Sequence, residues 1–306
     1  MRKTVKILVP GTSANCGPGF DCLGVSCTIY NELELTLLKE PTLEIHAEGE
    51  GAESIPTDER NLAWRSIQML LRRVQADDEY RGAVIRMKNR VPLSRGLGSS
   101  AAAIVGALKA VNVLLGNPFD RRGLLRIATE LEGHPDNVAP AIYGGFTVSL
   151  VHEGIPESFS FLPRLPLKLV VAVPDFPLST KAARGALPEE VPLKDAVFNV
   201  GRAALLVGAL AKGNVSFLRH AFDDALHQPY RAKLIPGMYD VFEAARKAGA
   251  IGAAMSGAGP CIIAYTTGHM AAVGDAMLEA FRQHEVSARV LMLDVDNRGA
   301  HIVKEP

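Results

Sequence analysis

The chain lacks the cysteine patterns that mark a metal-bound or disulfide-bonded protein. It has four cysteines in 306 residues, Cys16, Cys22, Cys27 and Cys261, and no two of them form a Cys-x-x-Cys pair. Because they also stand among apolar neighbours, we expect neither a zinc knuckle nor a disulfide framework. The composition instead predicts reduced thiols and a cytoplasmic location.

The chain also lacks an excess of either charge and any long apolar run. Lysine plus arginine and aspartate plus glutamate both number 33, so there is no basic surplus to hold a nucleic-acid backbone. The longest apolar stretch, 101–115, contains Lys109 and Asn112 and is shorter than the roughly 20 residues that cross a bilayer. Residues 1–10 have too short an apolar run for a signal peptide and predict a strand. We therefore expect no membrane segment and no nucleic-acid partner.

The apolar content is sufficient for two packed cores. Hydrophobic residues make up 48% of the chain, and no internal repeat or low-complexity tract interrupts them. Residues 153–166 are rich in proline, glycine and serine and show no long periodicity, which is typical of a linker. We predict an N-terminal domain over residues 1–160 and a C-terminal domain over residues 161–306.

Periodicity predicts strands and helices in both halves of the chain. In the first half the predicted strands are 31–37, 43–47, 83–87 and 146–150, and the helices are 61–74, 101–115 and 121–131. In the second half the strands are 168–173, 253–255, 261–265 and 288–293, and the helices are 196–211, 215–226, 238–248 and 270–284. This order indicates an α+β protein whose second half is a split βαβ unit with helices over one antiparallel sheet.

One run, Pro92 to Ala103, is typical of an anion-binding turn. Its glycines allow close backbone approach, its serines can satisfy free amides at a helix start, and the helix dipole adds partial positive charge. It is not a Walker A loop, because no lysine follows Gly98. The alternative is an ordinary turn in which Ser99 or Ser100 caps a helix.

Three further glycine-containing segments combine short polar side chains with turns. Residues 13–24 form either a plain turn or a site where Asn15 and Asp21 meet a small polar substrate. Residues 130–140 form either a helix end or a place where Glu132 offers oxygen to Mg²⁺. Residues 249–260 either join two strands or bring backbone amides over a substrate.

The order of these segments resembles the GHMP kinase family, named for galacto-, homoserine, mevalonate and phosphomevalonate kinases. The family shares the Pro-x(3)-Gly-Leu-Gly-Ser-Ser-Ala loop, here at residues 92–101. Segments 14–21, 132–141, 179–184 and 226–231 resemble the branch that phosphorylates the hydroxyl of L-homoserine with ATP, giving O-phospho-L-homoserine for threonine biosynthesis. The resemblance implies an N-terminal domain like domain 2 of ribosomal protein S5 and a ferredoxin-like C-terminal domain.

The resemblance also implies a set of site residues. Those expected to bind the substrate are Asn15, Asp21, His134, Asn137, Thr180, Arg184, Arg231 and Gly259. Those expected to bind ATP are Asn61, Pro92, Leu93, Ser94, Arg95, Gly96, Leu97, Gly98, Ser99, Ser100, Ala101 and Ala102. Ser100 and Glu132 are expected to share Mg²⁺, with Ser99 and Glu130 as alternatives.

Residue chemistry supports this substrate independently. L-homoserine has a carboxylate for Arg184 and Arg231 and an ammonium for Asp21. The sequence leaves open whether the chain forms a homodimer.

The catalytic candidates are Asn137, His134 and Asp136. Some relatives carry an aspartate base where this chain has Asn137, and an amide cannot accept a proton. We therefore expect catalysis by positioning and electrostatic stabilisation, with Asp136 as the rival base. Two other functions stay open: a related kinase acting on threonine or a mevalonate-type acid, and a nucleotide-responsive binding protein without turnover.

Overall fold

The computed structural model describes residues 4–303 and contains eleven strands and ten α-helices within that range. The strands are β1 (Thr4–Ala14), β2 (Leu23–Leu38), β3 (Leu43–Gly49), β4 (Gly82–Asn89), β5 (Phe146–His152), β6 (Ile155–Phe161), β7 (Lys168–Pro174), β8 (Gly252–Met255), β9 (Ile262–Thr266), β10 (Ala288–Asp294) and β11 (His301–Ile302). The helices are α1 (Leu62–Arg73), α2 (Ser99–Leu114), α3 (Arg121–Glu132), α4 (Pro135–Tyr143), α5 (Thr180–Gly185), α6 (Leu193–Lys212), α7 (Val215–Leu218), α8 (Gln228–Arg231), α9 (Met238–Lys247) and α10 (Met270–Gln283).

The first sheet has the order β11-β1-β2-β4-β3, and β5 and β6 extend from β2. Its pairs are antiparallel except β3 with β4. Alternation places Leu35 of β2 opposite Val5 and Ile85, on the face that α1 and α2 cover. Because α2 is apolar on nearly all sides, it lies at the centre of this core, and packing from Ala101 onward fixes where the helix starts.

The second sheet has the order β10-β7-β9-β8 and is wholly antiparallel. Helices α9 and α10 cover one face of it. The other face packs α6 together with residues of the first half, including Cys16 and Phe146. The order of strands and helices confirms the ferredoxin-like split βαβ unit and the α+β class.

Two secondary-structure predictions are wrong. The predicted linker 153–166 contains β6, which pairs with β5 through a two-residue turn at Glu153 and Gly154, where φ is +50° and +77°. Such turns join hairpin strands, and their glycine resembles that of a linker. The predicted helix 215–226 ends at Leu218. Residues near its predicted end serve another element, since the Asp224 carboxylate accepts the amides of 226–228 where α8 begins.

The predicted division near residue 160 falls where the first sheet gives way to the second, since β6 ends at Phe161 and β7 begins at Lys168. The chain later returns to the first sheet, where β11 pairs with β1. The two-domain boundary itself stays a prediction. Across residues 4–303, no helix is both long and apolar enough to cross a membrane.

Candidate active site

A cleft of about 400 Å³ opens where the start of α2 faces the loops of the second sheet. Most of the predicted site residues line it: Asn15, Asp21, Asn61, Leu93, Ser94, Gly96, Gly98, Ser99, Ser100, Glu132, His134, Asp136, Asn137, Thr180, Arg184, Arg231 and Gly259. Residues more than 200 positions apart in the chain therefore share one cavity.

The glycine-rich loop enters α2 through residues with left-handed backbone. Gly96 has φ +84°, and Gly98, with φ +68°, is the residue before the helix. Within the described part of the chain no side chain caps α2, so the predicted capping by Ser99 or Ser100 is wrong. Both serines lie inside the first turn, where their hydroxyls do not reach back to the free amides. Those amides therefore remain available to an anion in the cleft.

Hydrogen bonds from Ser256 and Cys261, at the end of the second glycine-rich segment, support this loop. The Ser256 hydroxyl donates to the Gly96 carbonyl at 2.6 Å, and the Cys261 amide donates to the Arg95 carbonyl at 3.1 Å. A Cβ at Gly96 would lie 2.1 Å from the Ser256 carbonyl oxygen. Only glycine fits so close to another backbone, and the loop shape depends on this contact.

Five of the residues expected to bind ATP do not line the cleft. Pro92, Leu97, Ala101 and Ala102 are buried beneath the loop. The Arg95 guanidinium donates to the carbonyls of Pro174 and Asp175 at 2.9 and 2.7 Å. Their side chains support the loop, so any contact with a nucleotide would come from the backbone.

Glu132, at the end of α3, is coupled to the start of α2. Its carboxylate accepts a hydrogen bond from the Ser100 hydroxyl at 2.5 Å, and burial raises its pKa. Glu130 instead pairs with Arg73 at the surface and does not line the cleft. No cluster of three or more metal-ligating side chains occurs within residues 4–303. One carboxylate and one hydroxyl suit Mg²⁺, which keeps several water or phosphate ligands.

His134, which is partly exposed, and the buried Asp136 form a pair at the start of α4. Nδ1 of His134 lies 2.5 Å from the Asp136 carboxylate, which is 2% exposed. That hydrogen bond is the main reason that the pKa of His134 is raised. One of the two Asp136 oxygens is therefore already engaged by the imidazole.

Asn137 is oriented by a residue that the sequence did not indicate. The buried Thr12 hydroxyl donates to Asn137 Oδ1 at 2.8 Å. Within the part of the chain that the structure describes, Asn137 Nδ2 has no partner, which leaves it as a donor toward the cleft. A strand threonine 125 residues away gives no local signal of this contact.

Arg184 and Asp21 bind each other across the cleft mouth. The two guanidinium nitrogens donate to the two carboxylate oxygens at 3.1 and 2.8 Å, and this pairing raises the pKa of Arg184. Both side chains are partly exposed. The two residues expected to meet opposite ends of one substrate are therefore paired here.

Arg231 is buried, 2% exposed, and has no carboxylate within salt-bridge distance among residues 4–303. Its Nε donates to the Ala183 carbonyl at 3.0 Å, and Nη1 lies 3.3 Å from His227 Nδ1. Burial, followed by the charge of Arg184, lowers its pKa to about 10. A cation buried among neutral acceptors at a cleft wall favours an anionic ligand.

Asn15 and Asn61 use their amides to hold backbone. Asn15 Nδ2 donates to the Gly257 carbonyl at 2.9 Å, and its Oδ1 accepts the Asp21 amide at 3.0 Å. Asn61 Oδ1 accepts the amides of Ala63 and Trp64 as the N-cap of α1. Both line the cleft while serving as anchors of its walls.

Thr180 and Gly259 complete the predicted set. Thr180 is the first residue of α5, whose start the Ser179 hydroxyl caps by accepting the Ala182 amide at 3.1 Å. Gly259 has φ +83°, and a Cβ there would lie 2.8 Å from Ile235 Cδ1. Gly259 therefore presents bare backbone to the cleft.

Known proteins resemble this chain in both sequence and structure. Residues 61–145 match the family model described as the GHMP kinases N terminal domain, and residues 205–283 match that of the GHMP kinases C terminal. The homoserine kinase of Carboxydothermus hydrogenoformans is 46% identical over 296 residues, covering 97% of this chain and 96% of that protein. The homoserine kinase of Moorella thermoacetica is 44% identical over 298 residues, covering 97% and 99%. A crystal structure of homoserine kinase from Cytophaga hutchinsonii has a TM-score of 0.90 at 32% identity, covering 99% and 98%.

Proposed function

The chain belongs to the homoserine kinase branch of the GHMP kinases, an ATP-dependent family, and we propose that its cleft transfers the γ-phosphoryl group of ATP to the L-homoserine hydroxyl. The observation that carries this proposal is that one cleft holds both a helix start with free amides and a buried arginine, Arg231, that forms no ion pair with any residue of 4–303. The first suits a triphosphate and the second a carboxylate.

ATP would bind with its phosphates on the amides of Gly96 to Ser100. The cleft continues past the loop to an apolar wall that includes Ile55, Pro56 and Leu62, beside Asn61. This wall suits a flat, weakly polar base. Ser100 and Glu132 would hold Mg²⁺. When bound, the ion neutralises charge on the phosphate oxygens during transfer.

L-homoserine would bind at the opposite end of the cleft. Its carboxylate would meet Arg231 and Arg184, and its ammonium would meet Asp21. Because Arg184 and Asp21 are paired with each other, binding must rearrange that pair. A zwitterion supplies a new partner for each member. An acid without an ammonium that drew Arg184 to its own carboxylate would leave the Asp21 carboxylate without a partner, which disfavours a mevalonate-type substrate.

Phosphoryl transfer would rely on positioning. Asn137 Nδ2 is a donor at the cleft and its orientation is fixed by Thr12. The helix amides and Asn137 would stabilise charge on the transferring group, and a loose transition state requires little help from a base. The hydroxyl proton would pass to solvent or to the γ-phosphate. Asp136, paired with His134, is the rival base.

A substrate panel tests the proposal. The full chain is given ATP and Mg²⁺ with L-homoserine, L-threonine, L-serine or mevalonate, and ADP release is measured by a coupled assay. We expect the highest kcat/KM with L-homoserine because both ends of the zwitterion find partners. Turnover of mevalonate alone would replace the proposed substrate, and no ADP release with any substrate would favour a binding protein.

A further inference from the structure

Phe20 lines the cleft but belongs to no hydrophobic core cluster among the described residues. Its ring lies instead among cationic and polar groups. The guanidinium carbon of Arg231 is 5.2 Å from the ring centroid, and that of Arg184 is 5.7 Å from it. The ring therefore contacts both arginines that the proposed function assigns to the substrate carboxylate.

Besides burial, the charge of Arg184 lowers the pKa of Arg231, so the two guanidinium groups repel each other. Asp21 and Asp224 oppose this effect, but among the described residues no carboxylate forms an ion pair with Arg231. An aromatic face attracts a cation through its quadrupole. Unlike a carboxylate, a phenyl ring accepts no strong hydrogen bond, so Phe20 itself occupies no N–H group of either arginine. The Phe20 ring can therefore keep the guanidinium groups of Arg184 and Arg231 close to one anion-binding site. Because the ring carries no charge, it does not itself fill that site.

The Phe20 ring is supported in turn by His227. Phe20 stacks on His227 with centroids 5.1 Å apart and planes 24° from parallel. Nε2 of His227 donates to the Gly17 carbonyl at 2.8 Å, and Nδ1 accepts from Arg231. This pattern requires a neutral imidazole, and burial lowers the pKa of His227 in agreement with it. The loop of Phe20 and the helix α8 of Arg231 are thus joined through one side chain.

We propose that Phe20 is a positioning residue for the substrate carboxylate, holding Arg184 and Arg231 so that both face the same anion. This inference rests on the proposed function. Phe20 should therefore affect the binding of the amino-acid substrate and have little effect on ATP binding or on the chemical step.

The test compares Phe20→Leu, which keeps apolar bulk without a ring, with Phe20→Tyr, which keeps the ring. Phe159→Leu, at an exposed aromatic on β6, is the matched control. For the full-length proteins, kcat and the KM values for L-homoserine and ATP are measured, together with the thermal midpoint. If Phe20→Leu does not fold, Phe20→Met replaces it.

We expect Phe20→Leu to raise the KM for L-homoserine by about tenfold, while kcat and the KM for ATP change by less than about twofold. Phe20→Tyr and Phe159→Leu should stay near wild type. With 2-amino-1,4-butanediol, which lacks the carboxylate, Phe20→Leu should not change kcat/KM.

An unchanged KM for L-homoserine in Phe20→Leu would overturn the inference, as would an equal loss with the amino diol. Wild-type turnover of L-homoserine in the same experiment keeps these outcomes separate from failure of the proposed function, which would appear as no turnover at all.

Discussion

At the scale of single residues, three acidic side chains of the cleft differ in their hydrogen-bond partners. Asp21 is paired with Arg184, Glu132 accepts from Ser100, and Asp136 is bound by His134. A general base needs an available oxygen near the reacting hydroxyl. Asp136 is buried and has one oxygen bound by an imidazole whose pKa it raises. It is better placed to orient His134 than to take a proton.

This difference predicts a modest effect for Asp136→Asn. We expect kcat to fall by less than about tenfold, whereas loss of a general base costs about 10²- to 10⁴-fold. The pKa of His134, measured by NMR titration, should fall because its main raising contact is lost. Steady-state kinetics with L-homoserine measure the first effect.

Asp240→Asn is the matched control, since Asp240 makes the same type of contact with His284 at the surface, 2.6 Å apart. It should leave the kinetics unchanged. A loss of 10²-fold or more in kcat for Asp136→Asn, with KM retained, would make Asp136 the base and end the positioning hypothesis.

At the scale of elements, the chemistry depends on how the loop enters α2. Gly98 has left-handed backbone, and a Cβ there would lie 2.0 Å from Thr12 Oγ1 and 3.1 Å from Asn137 Oδ1. An alanine would therefore strain the backbone and also displace the hydroxyl that orients Asn137. One glycine thus links the phosphate loop to the Asn137 amide.

We expect Gly98→Ala to lower kcat/KM for ATP by more than about tenfold, because a displacement of about 1 Å in a reacting site is costly. Gly116→Ala is the matched control. Gly116 follows α2 with φ +83° and open space around its Cβ position, so it carries the strain without the clash. Both variants should lose thermal stability, but only Gly98→Ala should lose activity. Equal kinetics in the two would show that the clash has no functional effect.

Local signals predicted most elements but not the contacts between them. Alternation found β3 and β4, and helical periodicity found α1 and α10, because one face of each is buried. Continuous apolar runs found β7 and α2, which are buried on nearly all sides. The phosphate loop was also predictable from local sequence, because Gly96 and Gly98 stand directly before an apolar helix. The pairs Asp21–Arg184 and Thr12–Asn137 join residues 163 and 125 positions apart, and no periodicity reports such contacts. The strand β6 was missed because its turn has the composition of a linker.

At the scale of the whole molecule, the cleft exists because two sheets and their loops meet. One core cluster combines residues of both halves, such as Val25 with Leu169 and Tyr265. Ser256 and Asn15 add hydrogen bonds across the same junction. The shared core therefore connects the two parts of the site. One part is the arginine that would bind the carboxylate, and the other is the loop that would bind the phosphates. This arrangement suits transfer between two small molecules bound together.

The most direct test of this account is ³¹P NMR of the full chain with ATP, Mg²⁺ and L-homoserine. The account predicts a phosphomonoester resonance, coupled to the side-chain methylene protons of homoserine, that grows in proportion to ADP. It also predicts no such resonance when L-homoserine is omitted. Release of inorganic phosphate without a phosphomonoester, or unchanged ATP over the same period, would contradict it.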